Sequence, residues 1–247
     1  MAGLAGRLVL YMYSVLERNV KENSALALSP PSARRLPARL SALVSRSCAF
    51  TKSSMPLSQS QLEATVTKAN EALALIQESY GRSNVAEARI RFPRGFILPA
   101  STYLQKLPNI GTNVQRRNAC YASMTLDVFR WLCVRTDLSG AALSMIVKEA
   151  ICIIGSICEW LTKEATRGVG SRRSFVKRTE ILVENGTISP EVKQELDRVW
   201  NIRCNEHLHE VTSLEYEMYS RADYNRAVAA YKALKNALIE EHGSAGA

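Results

Sequence analysis

From residue 58 onward, apolar residues recur every three or four positions, the spacing that places them on one face of an α-helix. The first such run follows Ser58, which stands three residues before Gln61 in the spacing of a capping box, and it stops at Gly81. Its apolar positions are Leu62, Val66, Ala69, Leu73, Ile76 and Tyr80. The pattern predicts an amphipathic helix between Ser58 and Gly81.

Five later segments show the same helical period. They are residues 113–135, 141–164, 175–185, a segment that opens with Ser189-Pro190-Glu191, and a closing segment after the capping-box pair Ser220 and Asp223. Between the first helix and these, residues 82–111 are rich in Pro and Gly, which predicts an extended connector with one helical turn between Pro99 and Pro108.

The segment 141–164 is the most apolar in the chain. Lys148, Glu149 and Glu159 interrupt it, so we expect a central buried helix and no membrane crossing. Cys152 and Cys158 within it are expected to be small core residues, because free cysteine is among the most buried residue types. The fold prediction is therefore all-α: one up-and-down bundle of about four or five helices over 55–242, with 243–247 as a disordered tail.

The charge of the chain is concentrated at its start. The 247 residues carry a formal charge of +9, of which 1–54 contribute +6 and 55–247 only +3. The first segment lacks a long amphipathic period and is expected to be unstructured. Three interpretations compete: a targeting segment, either secretory or organellar; an over-extended start, with translation beginning at Met55; and a basic arm that binds nucleic acid. We favour the start at Met55, because a capped helix follows it at once.

Several kinds of site are excluded or disfavoured by the sequence. The six Cys include no CxxC pair, and no His stands at metal-ligand spacing from them, so we expect neither zinc nor a disulfide framework. Scattered unpaired Cys suit a reducing compartment, and the predicted location is cytoplasmic. P-loop, dinucleotide-binding, nucleophile-elbow and HExxH patterns are missing, and we expect no cofactor.

The unusual feature lies in the helix that opens at Ser189. Its apolar stripe reaches Val199 and Trp200, and the same period then brings it to Arg203 and His207. An Arg beside a neutral His is suited to RNA cleavage, because His moves a proton near neutral pH and Arg holds the phosphate. The alternative is an ion pair of Arg203 with Glu206 or Glu210, with both histidines on the surface or at a dimer seam.

On these residues, the C-terminal half resembles the higher eukaryotes and prokaryotes nucleotide-binding (HEPN) family of small helical proteins, found among toxin and antiviral ribonucleases. The resemblance covers roughly 112–240. The family signature is an Arg, usually followed by a polar residue, then a His after four to six intervening residues. Arg203 and His209 fit this spacing, whereas Cys204 replaces the polar residue, Asn205 comes one place late, and His207 competes with His209.

The resemblance implies a homodimer that cleaves RNA without a metal. Arg203 would hold the scissile phosphate, His207 or His209 would act as the general acid or base, and Asn205 would orient that histidine. A second hypothesis is a catalytically silent helical binding module or antitoxin-type partner, in which the same residues close an ion-pair network. A third is a domain partnered with a nucleotidyltransferase. Tyr216, Tyr219 and Tyr224 are expected to be half-buried core residues, with base stacking as the alternative.

Overall fold

The computed structural model describes residues 56–93, 95–170, 172–206, 211 and 213–243. Seven α-helices and no strand lie in these ranges, which confirms the all-α prediction. The helices are α1 Gln59–Tyr80, α2 Ala100–Leu104, α3 Asn113–Arg135, α4 Gly140–Ala165, α5 Phe175–Glu184, α6 Pro190–Cys204 and α7 Arg221–Gly243. A short 3-10 helix, Ala86–Ala88, follows α1. The basic segment 1–54 and residues 244–247 of the predicted tail lie outside the described residues.

The described chain divides into two compact units at Phe92 and Pro93, a boundary inside the predicted domain 55–242. The N-terminal unit contains α1, whose predicted capping box is confirmed. The backbone N–H of Gln61 donates to Ser58 Oγ, and the N–H of Ser58 donates to Gln61 Oε1. None of the α1 residues is buried. The C-terminal unit contains α2 to α7.

Helix α4 is the centre of the C-terminal unit, because α3, α5, α6 and α7 all pack against it. Helix α2 packs on α3, and α6 also contacts α5 and α7. The core consists of aliphatic side chains from several helices that have lost contact with solvent. They include Val147, Ile151, Ile154, Leu161, Leu196, Val199, Leu234 and Leu238. Burial of this kind is the main favourable contribution to folding.

By length and composition, α4 is the one helix of the described chain that is able to cross a membrane, because an 18-residue window of it holds no more than two of its five charged residues. The core helix of a soluble protein passes the same test, so the expectation that α4 does not cross a membrane stays a prediction. About half of its apolar window, 56%, is nevertheless buried inside the protein, as in a core helix. Lys148 is itself buried. The arrangement is compatible with a soluble bundle, and the cytoplasmic location stays a prediction.

The core predicts a clear contrast between two neighbouring positions of α7. Leu234→Ala is expected to lower the free energy of unfolding by about 2–5 kcal/mol, because it leaves a cavity in a fully buried site. Ile239→Ala, at a position that is 37% exposed, is the matched control and should cost less than about 1 kcal/mol. Urea unfolding measures both. Equal costs for the two variants would contradict the packing described here.

Candidate functional site

Helix α6 positions Arg203 at its C-terminal end. The helix starts as the sequence predicts: Ser189 Oγ accepts a hydrogen bond from the N–H of Val192, and Pro190 occupies the first turn. Leu196 and Val199 are fully buried on the face that packs into the core. Arg203 lies one turn after Val199 on the same face of α6, so its side chain contacts α4.

Helix α6 ends before the point to which its apolar stripe was extended in the sequence. Its last residue is Cys204, and the N–H of Asn205 closes the last turn on backbone carbonyls of α6. The helix on which the expected shared face of Arg203 and His207 was based therefore ends at Cys204, and that shared face stays a prediction. His207 and His209 lie outside the described residues.

Three contacts fix the guanidinium of Arg203. Its Nη2 lies 2.8 Å from Glu159 Oε2 in an ion pair, and its Nε donates to Ser156 Oγ at 3.2 Å. Its Cζ lies 4.8 Å from the ring centroid of Trp200, within the range of a cation–π contact. The side chain keeps 27% of its surface exposed. Arg203 is thus held in one orientation while part of it faces solvent.

Gly155 leaves room for the side chain of Arg203 to cross α4. A Cβ at Gly155 would stand 3.0 Å from Arg203 Cδ and 3.2 Å from Arg203 Cβ, closer than side chains ordinarily pack. Ser156 and Glu159, on the same surface of α4, then meet the guanidinium. A glycine in the middle of a helix costs up to about 1 kcal/mol relative to alanine. Here the missing side chain permits the close approach of α6.

An aromatic stack connects the Arg203 site to α5. Trp200 stacks on Phe175 with their ring centroids 4.6 Å apart and their planes 7° from parallel. Arg178 lies 5.9 Å from the Phe175 centroid, and burial lowers the pKa of Arg178 while the nearby charge of Glu159 raises it. Glu159 therefore pairs with one guanidinium and also stabilises the charge of a second, buried one.

The partner of Arg203 is a residue that sequence reasoning did not select. We expected Glu206 or Glu210 as the alternative partner, whereas the ion pair in the structure is with Glu159 of α4. Glu206 comes after the end of the helix, and Glu210 lies outside the described residues. The adjacent small residues Gly155 and Ser156 stand between Ile154 and Ile157, and they are the sequence signal for the place where Arg203 crosses α4.

Asn205 lies at the C-cap of α6 and is exposed. Burial and the carboxylate of Glu215 raise the pKa of Tyr219, and the nearby side chain of Asn205 opposes this rise. In the described structure Asn205 therefore contacts the segment before α7, and its predicted role toward a histidine stays a prediction.

The tyrosines of the C-terminal half divide into two groups. Tyr219 and Tyr224 are each 8% exposed and belong to the core, as expected, whereas Tyr216 is 65% exposed. Cys152 and Cys158 are buried, which confirms their predicted place in the core. Burial, reinforced by Glu149 and Glu206, raises the pKa of Cys152 to about 12, so its thiol is a poor nucleophile.

A buried ion pair next to this site also escaped the sequence-based prediction. Lys148 Nζ of α4 lies 2.5 Å from Glu215 Oε2, with side-chain exposures of only 3% and 9%. Tyr219 donates its hydroxyl proton to Glu215 Oε1 at 2.8 Å, and the N–H of Tyr219 donates to Ser144 Oγ. Lys148 interrupts the apolar stripe of α4 in the sequence. Its partner, Glu215, is 67 residues away in the sequence, so no local pattern predicts the ion pair.

The described residues bring together a held guanidinium, a carboxylate, a hydroxyl and two stacked aromatic rings. A guanidinium offers five N–H donors suited to an oxyanion, and part of the Arg203 side chain faces solvent. Comparison with protein-family models, with curated proteins and with solved structures finds no match to this chain.

The buried pair predicts a large cost when one partner is neutralised. Glu215→Gln is expected to lower the free energy of unfolding by about 3–5 kcal/mol, because it leaves Lys148 charged and unpaired in the interior. The double variant Lys148→Met with Glu215→Met should recover most of this loss. Urea unfolding measures both.

The matched control is Glu180→Gln, which breaks the exposed ion pair with Lys177 and should leave stability nearly unchanged. If Glu215→Gln is as mild as this control, the Lys148–Glu215 pair does not hold the segment before α7 in solution.

Proposed function

We propose that the protein is a HEPN-like ribonuclease in which Arg203 holds the scissile phosphate. His207 or His209 supplies the general acid or base, and Asn205 assists that histidine. The protein acts as a cytoplasmic homodimer, so that two copies of the α6 end line one cleft. A toxin or antiviral role is the biological setting that this activity suits.

The observation that carries this proposal is the restrained but partly exposed guanidinium of Arg203. Glu159 and Ser156 engage its Nη2 and Nε, and Trp200 supports it from a ring face. A charge fixed before substrate arrives costs no reorganisation at the transition state, which is the basis of electrostatic catalysis. The exposed 27% of the side chain leaves a path for a phosphate oxygen.

The same ion pair favours a second candidate, a catalytically silent helical binding module or antitoxin-type partner. In this alternative Glu159 satisfies Arg203 permanently and the contact serves only to join α6 to α4. A partner such as a nucleotidyltransferase would then supply the chemistry. The two candidates differ in one respect: only the ribonuclease requires Arg203 for turnover of RNA.

RNA cleavage by purified variants tests the proposal. Arg203→Ala is expected to lower the cleavage rate about 100-fold or more, because it removes the group that stabilises charge on the phosphate. The His207→Ala/His209→Ala double variant should lose activity to a similar extent, and it leaves the Arg203 contacts intact. Arg226→Ala, which breaks another Arg–Glu pair of the same unit, is the matched control and should retain full activity.

Unfolding measurements accompany the activity assay. We expect Arg203→Ala to cost about 1–2 kcal/mol of stability, since a partly exposed ion pair and one cation–π contact are lost. Both the Arg203 and the double histidine variant should therefore remain folded. Folded variants that cleave RNA at the wild-type rate, or a wild-type protein without activity, would refute the ribonuclease and favour the silent module.

A further inference from the structure

The joint between α4 and α5 concentrates the positive charge of the folded chain. Residues 163–178 contain six basic side chains and one acidic side chain, a net charge of +5. Residues 55–247 together carry only +3, so everything outside the joint sums to −2. Five of the six cations are exposed, and we call them the basic joint: Lys163, Arg167, Arg172, Arg173 and Lys177.

The sixth cation, Arg178, is buried and holds the joint together. Its Nε donates to Thr162 Oγ1 at 3.3 Å, and its Nη1 donates to the carbonyl of Arg173 at 2.6 Å. One guanidinium thus joins the end of α4, the loop and the first turn of α5. Because adjacent Cα atoms are about 3.8 Å apart, the backbone positions next to these three residues lie in one region of the fold.

Neighbouring carboxylates neutralise only part of this charge. Glu164 pairs with Arg167, and Glu180 pairs with Lys177. In the part of the chain that the structure describes, no ion pair involves the remaining three cations of the basic joint. These are Lys163, Arg172 and Arg173. Clustered exposed cations of this kind attract a polyanion, and arginine in particular binds phosphate with two donors.

The basic joint continues the surface that carries the Arg203 site. Ser156 and Glu159 of α4 contact Arg203, and Lys163 lies four residues after Glu159, on the same face of the helix. Four residues of α-helix span about 6 Å, the order of one nucleotide step along a strand. An RNA phosphate at Arg203 and the next phosphates along the same RNA strand thus have cations within reach.

We infer that the basic joint is a binding surface for the sugar–phosphate backbone of RNA, which leads the strand to Arg203. The choice of RNA over another polyanion rests on the proposed function, whereas the choice of a polyanion rests on the charges of the joint alone. The contacts are to phosphates, so they are independent of base sequence and weaken as salt rises.

Fluorescence anisotropy with the full chain and a labelled single-stranded RNA of about 20 nucleotides tests this inference. The joint variant is Lys163→Gln/Arg172→Gln/Arg173→Gln. Its dissociation constant should rise about tenfold or more, and the slope of log affinity against log salt should decrease by about 2, because each lost phosphate contact on a single strand removes about 0.7. The control variant Arg117→Gln/Arg135→Gln/Lys232→Gln removes the same charges at exposed positions and should change both quantities far less.

The outcomes separate this inference from the proposed function. Loss of binding in the joint variant, with binding kept in Arg203→Ala, supports the surface even if the protein never cleaves RNA. Equal losses in the joint and control variants, or unchanged binding in the joint variant, overturn it. Vesicles of phosphatidylserine and phosphatidylcholine serve as the competing anion. If the joint variant loses vesicle binding but keeps RNA binding, a membrane surface is the ligand and the inference is wrong.

Discussion

The crossing of α6 over α4 at Gly155 is the contact on which the site depends. Without a side chain at 155, Arg203 passes close to the α4 backbone and reaches Ser156 and Glu159. The same crossing buries Leu196 and Val199 in the core and brings Trp200 against Phe175 of α5. The orientation of Arg203 is therefore linked to core packing.

The helices were predictable because their signals are local. Asn113–Arg135 and Gly140–Ala165 follow from apolar periods and from turns that stop them, and the caps at Ser58 and Ser189 follow from short-range spacing. The Arg203 ion pair was not predictable in this way. Its partner, Glu159, is 44 positions away and belongs to a helix whose register against α6 is set by packing in three dimensions.

The end of α6 shows the limit of extrapolating a period. When the helical period is extended along the sequence, the apolar stripe reaches His207. The helix itself ends at Cys204, and Asn205 is its C-cap. Asn205 and Glu215 contact residues of the core, and the Lys148–Glu215 pair anchors the segment that follows. A helix terminus set by such contacts leaves no trace in the spacing of apolar residues. The proposed function therefore rests on Arg203 and on the charge of the basic joint, which the total charge of +9 did not reveal.

A double-mutant cycle between Gly155→Ala and Arg203→Ala, measured by urea unfolding, tests the crossing most directly. In the wild-type background the added methyl group meets Arg203 Cδ at 3.0 Å, which offsets the gain of about 1 kcal/mol in helix propensity. In the Arg203→Ala background the Cδ contact is gone and only the 3.2 Å contact with the Cβ of residue 203 remains, so Gly155→Ala should become more favourable by about 1 kcal/mol. If the two substitutions are additive within about 0.3 kcal/mol, Arg203 does not lie across Gly155, and the account of the site is wrong.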